Sequence, residues 1–107
     1  MLEQSILESA GYHTELAASA EEALEKARER TYDLFVVDVE MPGMDGFSFV
    51  ARTQADARLR GVPSIIVSSR ASDEDRRRGL EAGARGYIAK GQFAQKQLLE
   101  LVWRLTA

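Results

Sequence analysis

Leu34-Phe35-Val36-Val37-Asp38, running on into Val39-Glu40-Met41-Pro42-Gly43-Met44-Asp45-Gly46, decides how this chain folds. Four consecutive apolar residues leave no polar face, which is the pattern of a strand buried on both sides of a parallel sheet, and here the run ends on a carboxylate. Asp38 is therefore expected at the carboxyl end of an inner strand. Residues 40–46 carry turn formers, and Asp45 can cap a helix over 47–59 that Gly61 and Pro63 close.

Outward from that stretch the same design recurs. Ser64-Ile65-Ile66-Val67-Ser68 is a second apolar run ending in a polar residue, and Ser72 caps a helix that reaches Ala82 and Gly83. Asp73, Glu74 and Asp75 open this helix and Arg76, Arg77 and Arg78 follow, an order that suits the helix dipole. It also permits four-residue pairs such as Asp73 with Arg77 and Glu74 with Arg78, so the arginine triplet reads as a solvated face. Gly86-Tyr87-Ile88-Ala89-Lys90 is the last strand. The last helix covers 93–105, with Leu98, Leu101, Val102 and Leu105 as its core stripe and Leu99 and Trp103 on the flank.

Towards the amino terminus, residues 1–10 read as a helix ended at Gly11, and residues 12–17 as a short strand. Ser19 and Glu22 form a capping box for a helix through Arg30, with Ala23, Leu24 and Ala27 facing inward. Strands alternating with helices imply an α/β fold built on a parallel sheet.

Composition narrows the function. A chain of 107 residues, 45% hydrophobic and 29% charged, suits one ordinary globular domain. The net charge of −3 with both signs interleaved gives no footprint for nucleic acid and no membrane-binding surface, so neither is an expected partner. There is no cysteine, and the lone His13 beside Tyr12 has no second ligand near it, which leaves no thiolate or histidine metal site. No apolar run approaches the roughly 20 residues of a membrane span, and the first residues lack a charged, cleavable leader. A cytoplasmic location is the expectation.

Asp38, Ser68 and Lys90 end three successive predicted strands. Ligands of open α/β sheets bind beyond the carboxyl ends of the strands, so the three should converge. An acid, a hydroxyl and an amine together suit phosphoryl chemistry: the carboxylate attacks phosphorus, while ammonium and hydroxyl hold the oxygens of the transferred group.

The stretches DLFVVDVEMPGMDG, PSIIVSS and GARGYIAK resemble the CheY-like receiver domain of response regulators, and the resemblance covers nearly the whole chain. It implies a flavodoxin-like sheet of order 2-1-3-4-5 with helices on both faces. It also implies that Asp38 accepts phosphate from a histidine kinase or phosphotransfer domain, that Lys90 contacts the phosphoryl group, and that Ser68 moves to hydrogen-bond it. Tyr87 matches the aromatic switch that turns inward afterwards. The family holds Mg2+ with an acidic pair after its first strand, the acceptor carboxylate (Asp38) and the backbone carbonyl two residues on (Glu40). Such a domain signals rather than catalyses turnover, and reaches a downstream protein through its last strand and helix.

The sequence has no counterpart of the family's first strand or of the acidic pair, and Gly91 stands where many relatives have proline. The expectation is thus a receiver domain over 1–107, truncated at its amino terminus and without strand 1. Weak magnesium binding should follow; the alternative to an omitted upstream segment is a homodimer that fills the sheet by sharing or exchanging a strand. The stretches ASDEDRRRGLEAGA and GYIAKGQFAQKQLLELVWRL are similar to the receiver fused to hybrid chemotaxis-type (CheA-like) histidine kinases, which implies a longer parent chain. Two other classes compete. A phosphohydrolase of the haloacid dehalogenase type also uses a strand-end Asp with Ser/Thr and Lys, but expects a second Asp where Glu40 stands. A phosphate-independent adaptor would keep the fold for protein binding alone.

Overall fold

The computed structural model describes residues 2–39, 46–70, 72–91 and 94–106. The three apolar runs become the strands β1 (Phe35–Asp38), β2 (Ser64–Ser68) and β3 (Gly86–Ala89). They lie parallel in the order β1-β2-β3, with Asp38 opposite Val67 and Ser68 opposite Ala89. Every residue of β2 is buried, because a strand pairs it on each side and helices cover both its faces.

The two-residue period of the strands sorts their side chains between two cores. Ile65, Val67 and Ile88 point to one face, where Leu7 of α1 (Leu2–Ser9) and Leu98 and Val102 of α5 (Ala94–Thr106) pack on them. Val37 and Ile66 point to the other, under α2 (Ala20–Glu29), α3 (Gly46–Ala55) and α4 (Asp73–Ala82), with Leu24, Ala27, Phe49 and Val50 around them. Complete burial of one such side chain stabilises by about 1.5–3 kcal/mol, so the two layers carry most of the driving force.

Helix ends follow local chemistry. Ser19 Oγ accepts the Glu22 N–H at 3.1 Å, and the Glu22 carboxylate accepts the Ala18 N–H at 3.2 Å, one residue before the position a standard capping box would use. Ser72 Oγ accepts the Asp75 N–H at 3.1 Å, and Gly83, at φ 114, ends α4 in the left-handed conformation that costs glycine nothing. The helix expected over 47–59 stops at Ala55. The Asp56 carboxylate takes the Arg58 N–H at 2.8 Å and turns the chain, yet Leu59 still reaches the core.

One expectation fails. Residues 12–17 form no strand. β1 lies at the edge of the described sheet, so no described strand offers this segment a ladder. Side chains hold it instead: Glu15 Oε2 accepts from Tyr32 Oη at 2.8 Å and from Arg30 at 3.3 Å, and Lys26 donates to the Leu16 carbonyl. The strands present correspond to the 3-4-5 side of the expected 2-1-3-4-5 order. The arginine triplet is exposed throughout, as a solvated face requires, although the ion pair formed is Arg77 with Glu81 at 4.0 Å, one turn onward, rather than with Asp73. The cap at Asp45 and the helix start at Phe93 fall outside the described residues.

Candidate functional site

Parallel register brings the three strand tips together. Asp38 ends β1 with only 9% of its surface exposed, and Lys90, the residue after β3, places Nζ 3.0 Å from Asp38 Oδ1. The ammonium keeps 37% of its side chain in solvent, so the pair is wet on one side. Ser68 ends the intervening strand and is fully buried. Its carbonyl accepts the Lys90 N–H at 2.8 Å, which carries the β2–β3 ladder one residue past β3 and fixes where the lysine departs. On the other side the Val39 N–H continues the ladder to the Val67 carbonyl at 3.2 Å. The three residues thus lie at one edge of the sheet, Lys90 in contact with Asp38 and Ser68 on the strand between them.

Arg70, which sequence reasoning did not single out, ties Ser68 to Tyr87. Its N–H donates to Ser68 Oγ at 2.9 Å, and its carbonyl accepts from Tyr87 Oη at 2.5 Å. The Tyr87 ring lies on Gly79 of α4, where an added Cβ would come 2.8 Å from Tyr87 Cδ2 and 3.1 Å from Ile66 Cδ1. Arg76 covers the ring at 5.7 Å from its centroid and reaches the Tyr87 carbonyl at 3.4 Å. The hydroxyl of Tyr87 is therefore held towards the segment after Ser68. A glycine inside a helix costs about 1 kcal/mol relative to alanine; that penalty could have marked Gly79, which the sequence reading passed over, but it does not say which side chain comes close.

Magnesium asks for near-octahedral oxygen coordination. Among the described residues no group of three acidic, histidine or cysteine side chains could hold a metal ion. Asp38 is the only carboxylate of the expected ligand set that is described, its Oδ1 faces Lys90 at 3.0 Å, and Glu40 lies outside the described residues. The described donors alone do not fit the ion.

The chain matches the family model for the response regulator receiver domain over residues 1–103. It is similar to a gliding motility regulatory protein of Myxococcus xanthus, 42% identical over 104 residues that cover 97% of this chain and 13% of that protein. Among solved structures it superposes on the signal receiver domain of a signal transduction histidine kinase from Syntrophus aciditrophicus, with a TM-score of 0.85 and 32% identity over 98% of this chain and 79% of that one. The receiver domain of a sensor histidine kinase from Pseudomonas aeruginosa, which has a magnesium ion coordinated in its active site cleft, gives a TM-score of 0.84 and 30% identity over 98% of this chain and 85% of that one. The chain spans less than half the length of the curated relatives it matches, from 13% to 46%. The sheet and its flanking helices are those of the flavodoxin-like, CheY-like fold. With sequence model and three-dimensional neighbours in agreement, the chain belongs to the response regulator receiver domain family.

Proposed function

We propose that residues 1–107 form a phosphoacceptor domain that takes a phosphoryl group from a histidine kinase or phosphotransfer domain onto Asp38. A carboxylate oxygen of Asp38 bonds to phosphorus as the P–N bond of the donor phosphohistidine breaks, and the imidazole leaves with its electron pair. The product is an acyl phosphate. Lys90 is proposed to balance charge on the phosphoryl oxygens, and Ser68 to donate a hydrogen bond to one of them. The observation that carries this reading is the 3.0 Å approach of Lys90 Nζ to Asp38 Oδ1 at adjoining strand tips, with Ser68 on the strand between.

The signal would be a shift between two arrangements of the segments after Asp38 and Ser68, with Ser68 and Tyr87 as the moving groups. Arg70 supports this, because the backbone N–H and C=O of one residue touch the two side chains. Magnesium would neutralise phosphate charge where it binds, as the Pseudomonas relative binds it; for this chain, with Asp38 as its one described acidic ligand, weak binding is proposed. The receiver relatives that belong to histidine kinases support a longer, hybrid or regulator-type parent, and its location is proposed to be cytoplasmic. A downstream protein would dock through β3 and α5, where Trp103 is 68% exposed. A homodimer would use the outer edge of β1, along which no described strand lies.

The test is mass gain after incubation with a phosphorylated histidine kinase. Wild type should gain one phosphoryl group and Asp38→Asn none. A phosphate-independent adaptor is the second reading, favoured by the single described acid at the site; equal behaviour of the two proteins would establish it over phosphotransfer.

A further inference from the structure

Three consecutive arginines on a helix point about 100° apart, so Arg76, Arg77 and Arg78 of α4 cannot share a face. Arg77 turns outward to Glu81, Arg76 lies over Tyr87 of β3, and Arg78 lies over Phe47, its Cζ 4.4 Å from the ring centroid. Phe47 is the second residue of α3. The first, Gly46, sits so close to β1 that an added Cβ would fall 2.4 Å from Val39 Cγ1 and 2.8 Å from Val37 Cγ1. Val37 and Val39 flank Asp38 on either side. The tip of β1 is therefore joined by direct contact to Gly46, and through the adjacent Phe47 to Arg78.

At the far end of the same two helices, Gly83 lies flush on Gln54, whose Cγ would be 2.4 Å from an added Cβ. α3 and α4 thus touch at both ends, Phe47 with Arg78 at one and Gln54 with Gly83 at the other.

We infer that Arg78 is a positioning residue: through Phe47 and Gly46 it couples the Asp38 end of β1 to α4, by a route separate from the one through Ser68, Arg70 and Tyr87. Adjacent arginines then grip α4 from two sides, Arg76 on the β3 side and Arg78 on the α3 side. This rests on the proposed function for its purpose, but its test needs no phosphate.

The experiment is a cycle on the full chain read by amide NMR. Asp38→Asn perturbs the pocket, and the resulting shifts of α4 amides 73–82 are compared in wild type, Arg78→Gln, Phe47→Leu, the double variant and Arg78→Lys, each shown to be folded by circular dichroism. The expected result is that Arg78→Gln and Phe47→Leu each remove about half of the α4 response, that the double variant removes no more, and that Arg78→Lys restores much of it. The response at Tyr87 should persist in all of them and fall in Arg76→Gln. Amide exchange in α4 should also quicken about two- to five-fold in Arg78→Gln, the worth of one part-exposed cation–π contact. An α4 response that is absent in wild type, or identical in Arg78→Gln, overturns the inference. Failure of Asp38 to take a phosphoryl group would overturn the proposed function and leave this coupling standing.

Discussion

At the scale of single residues, the pairing of Lys90 with Asp38 sets a difference between stability and activity. With 37% of the lysine side chain exposed, water screens the pair, and its contribution to folding is at most about 1 kcal/mol. In the proposed phosphoryl transfer the same ammonium would act where charge develops, and losing such a group commonly slows reaction by about 100- to 1,000-fold. Lys90→Ala should therefore lower the rate of phosphoryl uptake by that order while the melting temperature moves by only a few degrees, as rapid-quench labelling and calorimetry would measure. Asp38, Ser68 and Lys90 were legible in the sequence because each ends an apolar run, and parallel pairing carries strand ends to one edge. Arg70 and Gly79 were not. Arg70 acts through its peptide, which any residue possesses, and Gly79 acts by lacking a side chain.

Elements were legible where they bury themselves. The runs 35–38, 64–68 and 86–89 announce strands by continuous apolar content, and Ser19, Ser72 and Gly83 mark helix ends by capping chemistry. Residues 12–17 had a strand's composition without a strand's neighbour, and a ladder is a property of two segments. Tyr12 packs on the core, but the contacts of Glu15 that help secure that segment are electrostatic and hence sensitive to acid. The hydrogen bond from Tyr32, and after it the Arg30 guanidinium, hold the Glu15 carboxyl below the ordinary glutamate value of 4.5. A lowered value in the folded chain means that the carboxylate form is the one that binds. Its contribution is present above pH 4.5 and is lost as the pH falls through the lowered value. Tyr32 is shifted the opposite way, raised by burial and then by Glu15, so it stays a neutral donor throughout this range. The Glu15 side-chain and Tyr32 ring resonances should shift together on acidification while the amides of β2 hold still, and in Tyr32→Phe the Glu15 carboxyl should titrate nearer its ordinary value of 4.5, as NMR titration would measure. A Glu15 titration unchanged in Tyr32→Phe would refute it.

For the whole molecule, the two cores divide the labour. The layer between the sheet and α2, α3 and α4 includes Val37, next to Asp38, and Tyr87, whereas the layer under α1 and α5 is built on Ile65, Val67 and Ile88 and closed by Leu98 and Val102. Tyr87, proposed as a switch residue, thus packs in the layer under α2, α3 and α4, and the opposite layer anchors the helix that carries Trp103. This division could not be read from the sequence, since every strand alternates between the two faces and only the assembled sheet tells which face each helix takes. The chain contains a single tryptophan, and α5 holds it largely in water. That indole makes the domain its own optical probe: emission should peak at the long wavelengths of a hydrated ring, stay there when Asp38 is altered, and move to the blue only when another molecule covers α5. Titrating candidate partners against intrinsic fluorescence, without any attached dye, would then report docking separately from chemistry at the strand tips.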